Sequence, residues 1–250
     1  MLIDLCDPLR ISIQRVFHLS AFLQLQQLTA AQLGKEQRRG ALVLDTRATD
    51  QFASFHIAGA MQIGLMGSFA SWAAVLIEPT QKLILVTESA NLAQEAHSRL
   101  ARVGFENVLG YALADEKQWR QNGIELAHLP VQRVEDVRRA AQRGRSVQLI
   151  DVRSWAEWLK GHLPGANSVP LLELNSKAAS IDRSKPTFLY CDGGYRSTIA
   201  ASMLRRGNFG DIGILIDSVQ GWQTDGVLLE KLEVDGSDHF SVSLRELSDR

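Results

Sequence analysis

Short apolar runs alternate with stretches of helical periodicity along most of this 250-residue chain. In the second half, segment 131–134 leads into a charged helical stretch at 135–143. The pattern then predicts a strand over 147–152, a helix over 154–160, a strand over 187–190, a helix over 197–206 and a strand over 212–216. Strands that alternate with helices predict an α/β fold with a mostly parallel sheet flanked by helices. In such sheets ligands gather at the carboxyl ends of strands.

The first half repeats the second. LVLDTRATDQFASFHIAGAMQIGL, from Leu42, matches QLIDVRSWAEWLKGHLPGANSVPL, from Gln148, without a gap. Asp45, Arg47, His56, Gly59, Ala60 and Leu65 fall on Asp151, Arg153, His162, Gly165, Ala166 and Leu171. Further along, KLILVTESANLAQEAHSRLARVGF matches PTFLYCDGGYRSTIAASMLRRGNF, again ungapped. Each half closes on a Trp followed by a Gly, Trp119 with Gly123 and Trp222 with Gly226. The chain therefore divides into two copies of one unit, 28–125 and 131–228, with an N-terminal extension at 1–27 and a polar C-terminal tail at 229–250.

The copies differ most at CDGGYRS, residues 191–197. A strand ends there, a cysteine appears, two glycines loosen the backbone, and an arginine precedes a helix. Backbone N–H groups and a helix N-terminus both favour an anion, so the arrangement favours a thiolate on Cys191. Asp192, Gly193, Gly194, Tyr195, Arg196 and Ser197 form the loop, with Ser197 the expected helix N-cap. In the first half Thr87, Ala90 and Leu92 take the places of Cys191, Gly194 and Arg196. That copy is expected to be catalytically silent and to pack against the other.

Composition adds exclusions. With 45% apolar and 22% charged residues the chain is ordinary for a globular protein, and its net charge of −1 gives no reason to expect nucleic acid or an anionic membrane as partner. The two cysteines, Cys6 and Cys191, do not form a disulfide framework and fit a reducing, cytoplasmic setting. Cys6 reads as incidental. The N-terminus carries Asp4 and Asp7 where a signal peptide needs basic and apolar residues, and the longest apolar stretch, 69–77, is too short to span a bilayer.

Three blocks of the second half, D-x-R at Asp151, G-H-x-P-G-A at Gly161 and C-x-x-G-x-R-S at Cys191, resemble the rhodanese domain of sulfurtransferases. The first half resembles a second, weaker rhodanese domain. Its string GSFASWAAVLIEPTQKLILVTE is similar to the first of two rhodanese domains that follow a persulfide dioxygenase domain in some bacterial fusion proteins. No H-x-H-x-D-H run accompanies it here. One departure stands: the family's Gly-Gly before the closing Trp is Gln220-Gly221 in this chain.

The resemblance implies two rhodanese-like domains and a sulfurtransferase without metal or cofactor. Cys191 would take the outer sulfur of thiosulfate or of a low-molecular-weight persulfide, and pass it from a cysteine persulfide to a thiol or cyanide. Arg196 would shape the loop or bind the donor's anionic group. Asp151, Arg153 and His162 would support the site. His162 is expected to serve the fold rather than act as a base, because the first half keeps His56 without a cysteine. Trp119, Trp155, Trp158 and Trp222 are expected in the core or between the domains. A separate persulfide dioxygenase or a sulfur-relay protein is the suggested partner.

Two other functions fit less well or equally. A phosphatase of related fold has five residues between Cys and Arg, and here four intervene. A non-enzymatic persulfide carrier needs the same loop as an enzyme. Asp192 places a negative charge beside the sulfur, which disfavours the thiosulfate dianion and tilts the donor toward a persulfide.

Overall fold

The computed structural model describes residues 25–217, Val219, Trp222 and 229–231. Cys6, most of the N-terminal extension and most of the C-terminal tail lie outside those residues.

The first half runs α1 (Ala30–Arg38), β1 (Leu42–Asp45), α2 (Thr49–Ser54), β2 (His56–Ile57), β3 (Met61–Gln62), α3 (Phe69–Leu76), β4 (Leu83–Thr87), α4 (Ala90–Ala101), β5 (Val108–Leu113), α5 (Glu116–Gln121) and β6 (Leu126–Ala127). The second runs β7 (Val131–Gln132), α6 (Val134–Gln142), β8 (Gln148–Asp151), α7 (Trp155–Leu159), β9 (Asn167–Ser168), α8 (Leu174–Lys177), β10 (Thr187–Tyr190), α9 (Tyr195–Arg206) and β11 (Ile212–Leu215).

Each half holds a parallel sheet, in the order β3-β1-β4-β5 and β7-β11-β10-β8-β9. The repeat thus extends to topology: β9, β8, β10 and β11 follow one another as β3, β1, β4 and β5 do. β1, β4 and β11 are buried at every position, which is why they read as continuous apolar runs rather than as alternation. β2 and β6 form an antiparallel pair that closes the first half, with His56 opposite Ala127.

Helix starts follow local chemistry. Ser154 and Glu157 form a reciprocal capping box that begins α7. α6 begins at Val134 rather than Glu135, because the Asp217 carboxylate accepts the Val134 N–H at 3.0 Å. α9 begins at Tyr195, two residues before the expected start. Its N-cap is Gly194, and Ser197 lies inside the first turn.

One apolar cluster passes through both halves, from Leu44, Leu85 and Phe105 to Leu189, Ile199 and Ile214. A smaller cluster gathers Val134, Val137, Tyr190, Leu215 and Trp222 against the second half. Trp119, Trp158 and Trp222 are buried, but Trp155 departs from expectation: it is 54% exposed and stacks on Trp158. Among the described residues, no helix is long and apolar enough to cross a membrane.

Candidate active site

Cys191 follows β10 directly, in the middle of the second sheet, and is 1% exposed. Gly193 and Gly194 then turn the chain with φ of 93° and 85°. Two left-handed residues in succession are strained for any side chain, so this turn requires glycine at both positions. The hydroxyls of Ser197 and Thr198 donate to the Gly194 carbonyl at 3.0 and 2.7 Å, fixing the end of the turn onto the helix. Cys191 Sγ lies 3.6 Å from Ser197 Oγ. From Asp192 to Ser197, six consecutive backbone N–H groups find no acceptor among the described residues. Unspent N–H groups beside a helix N-terminus are an anion site.

Arg196 is the second residue of α9, and its guanidinium is already occupied. It grips Glu157 of α7 with two bonds, 2.7 and 2.8 Å long. Its hydrogen bond to Arg196 holds the Glu157 carboxyl down to about 2, so the pair stays ionised at any ordinary pH. Glu157 also closes the α7 capping box, so Arg196 ties α9 to the start of α7. Sequence reading missed Glu157; the x-x-E of its capping box was the available signal. Asp192 is exposed, has no ion-pair partner among the described residues, and edges a cleft of about 390 Å³ that Lys160 and Glu157 also line.

Asp151 and Arg153 form a buried bidentate pair, with bonds of 3.0 and 2.6 Å, and Arg153 also donates to the Gly161 carbonyl at 2.8 Å. His162 stacks on Trp158 at 3.4 Å between ring centroids, and its Nδ1 lies 3.1 Å from the Trp158 carbonyl. Neither group contacts Cys191 by hydrogen bond.

The rhodanese-like domain family matches residues 29–113 and again residues 134–225. The chain belongs to the rhodanese family. Among curated relatives, it is 38% identical over 78 residues to the uncharacterized protein YqhL of Bacillus subtilis, covering 31% of this chain and 62% of that one. It is 24% identical over 94 residues to the putative sulfur carrier protein YrkF of the same organism, covering 38% and 51%. The chain thus spans less than two thirds of either relative. Among solved structures it is similar to a thiosulfate sulfurtransferase from Pseudomonas aeruginosa, at 22% identity and a TM-score of 0.37, covering 83% of this chain and 44% of that one. Membership places the chain among sulfur-transfer proteins in general.

The first rhodanese domain keeps the frame and lacks the cradle. Arg47 grips Asp45 at 2.9 and 2.7 Å and donates to the Phe55 carbonyl, as Arg153 does to Asp151 and Gly161. His56 stacks on Phe52 as His162 does on Trp158. Buried positions of α4, Ala93, Ala96 and Leu100, fall on Ser197, Ala200 and Leu204 of α9, in keeping with the ungapped match. At the loop the copies part. Thr87 is still strand, Ser89 caps α4, and only Glu88 and Ser89 separate strand from helix. Four residues, 191–194, fill that place in the second domain.

His56 carries a pH prediction. Burial lowers it from 6.5 to about 4. The folded state then holds the ring neutral where the unfolded chain would protonate it. Stability from this group is complete above pH 6.5 and falls as pH drops toward 4, by about 3 kcal/mol in total. Urea unfolding at a series of pH values should show that slope in the wild type, and His56→Gln should flatten it. An unchanged slope in the variant would refute the assignment.

Proposed function

We propose that this rhodanese is a sulfurtransferase that carries sulfane sulfur on Cys191, and that its donor is a low-molecular-weight persulfide. The observation that carries the reading is the run of six unspent N–H groups, 192–197, around a buried cysteine at a strand end. The Cys191 thiolate attacks the outer sulfur of R–S–SH. The new S–S bond forms as the old one breaks, and the electron pair leaves on R–S⁻. Cys191–S–SH remains. An acceptor thiolate then attacks its outer sulfur, forms R′–S–SH and returns the Cys191 thiolate. No net oxidation occurs, so no cofactor is needed. Ser197 Oγ, with one proton, can turn from the Gly194 carbonyl to the sulfur when the thiol ionises.

The donor class follows from charge. Arg196 is neutralised by Glu157, Arg153 by Asp151, and Asp192 stands unpaired beside the sulfur. The Asp192 carboxylate opposes a dianion such as thiosulfate more than a persulfide, with Lys160 a cation that lines the same cleft. The suggested protein partner is a separate persulfide dioxygenase or a sulfur-relay protein.

Mass spectrometry of the Cys191 peptide after exposure to glutathione persulfide should show the gain of one sulfur, and kcat/KM should exceed that for thiosulfate by about tenfold or more. A strong preference for thiosulfate sinks the donor assignment, and no mass gain with either donor sinks sulfur transfer. A single loading without turnover on any thiol or cyanide would instead select the carrier reading.

A further inference from the structure

α9 turns one polar stripe toward the other half. Tyr195, Thr198, Ser202 and Arg206 recur at i, i+3, i+7 and i+11, which is one face of a helix. Each reaches the silent domain. Tyr195 Oη donates to the Gly64 carbonyl at 2.8 Å, and Thr198 Oγ1 lies 3.2 Å from Thr49 Oγ1. Ser202 Oγ accepts the Gln62 N–H at 3.1 Å, and Arg206 donates to the Gly59 carbonyl at 3.0 Å. Tyr195 heads this stripe and belongs to the Cys191 loop itself.

The Tyr195 ring rests in a socket of two glycines. A methyl on Gly64 would stop 3.2 Å from ring Cε2, and one on Gly67 would lie 2.5 Å from Cε2 and 2.8 Å from Oη. Neither glycine has a left-handed φ. At Gly67 the ring, not the turn, demands glycine; at Gly64 the ring and Gln62 Nε2 crowd the position equally. The socket is braced from behind. Arg99 of α4 donates to the Leu65 carbonyl at 2.6 Å and to the Gly67 carbonyl at 3.0 Å. Burial pushes the Tyr195 phenol up to about 12, so it remains a donor to Gly64 at working pH. The brace runs one way only. In the repeat, Gly64, Gly67 and Arg99 fall on Pro170, Glu173 and Met203, and Tyr195 falls on Asn91.

We propose that Tyr195 is a positioning residue for Cys191, and that the Gly64–Gly67 loop of the silent domain is the socket that holds it. The domain without a nucleophile thereby sets the shape of the loop that carries one. Only the kinetic arm of the test rests on sulfur transfer.

Hydrogen exchange of the hydrogen-bonded amides at the start of α9, 198–202, and the single-turnover rate of Cys191 loading by glutathione persulfide should be measured in wild type, Gly67→Ala and Tyr195→Ala. Gly64→Ala serves as a milder intrusion should Gly67→Ala fold poorly. Both main variants are expected to exchange these amides about tenfold faster and to load about tenfold more slowly at saturating donor. The half-saturating donor concentration should move by less than about twofold. The double variant should match Tyr195→Ala, because Gly67→Ala displaces the ring that Tyr195→Ala removes. Unchanged exchange at the start of α9 in both single variants overturns the socket, and so do effects that multiply in the double variant. Faster exchange with undiminished loading overturns the positioning role. If the wild type takes up no sulfur while exchange at the start of α9 rises in both variants, the sulfur-transfer reading fails and the socket stands.

Discussion

Cys191→Ser is expected to abolish sulfur loading, with a loss of at least ~10³-fold, while the protein stays folded. The oxygen of serine does not ionise near neutral pH and forms no stable bond to sulfane sulfur. The exchange removes little volume from a site that is already turned by Gly193 and Gly194 rather than by the cysteine. Circular dichroism and the mass of the 191 peptide after donor treatment are the two measurements. Sulfur carried elsewhere in the variant, at undiminished yield, would refute Cys191 as the carrier.

The second large effect is on stability. Asp45→Ala and Asp151→Ala should each cost about 3–5 kcal/mol, because each leaves a buried guanidinium unpaired. Asp45, Arg47, Asp151 and Arg153 are all buried, and the bond lengths of the two pairs agree closely. Equal losses in the two halves mark the pairs as framework, since only one half holds a cysteine. Urea midpoints decide this. A variant of Asp151 that keeps its midpoint and loses transfer would instead assign that carboxylate to the chemistry.

The repeat, the parallel sheets and the position of Cys191 were legible because each is local or periodic. β4 announces itself as a run of Leu, Ile and Val, and β10 as Phe188 and Leu189 between Thr187 and Tyr190. The start of α9 was misplaced because Ser197 is a good capping residue by propensity. The left-handed pair Gly193 and Gly194 completes the turn earlier and lets the helix begin at Tyr195. The partner of Arg196 was hidden for a different reason: Glu157 lies 39 residues away on another helix, and no local pattern joins them. Gly67 carried no signal at all, since its need for glycine arises from the Tyr195 ring, which the fold brings in from the other half. Distance in sequence, not weakness of interaction, separates what could be read from what could not.

The apolar cluster that crosses from Leu44 to Ile214 bears on how the chain can be divided. A copy of a fold that has shed its reactive atom would ordinarily be dispensable. Here its removal would open the apolar cluster that Ile199 and Leu204 share with it and leave the polar stripe of α9 facing water. The nucleophile is therefore not portable: it cannot be excised with its own hundred or so residues and be expected to keep its setting. Cys191 belongs to one half, and the architecture that surrounds it is held in common.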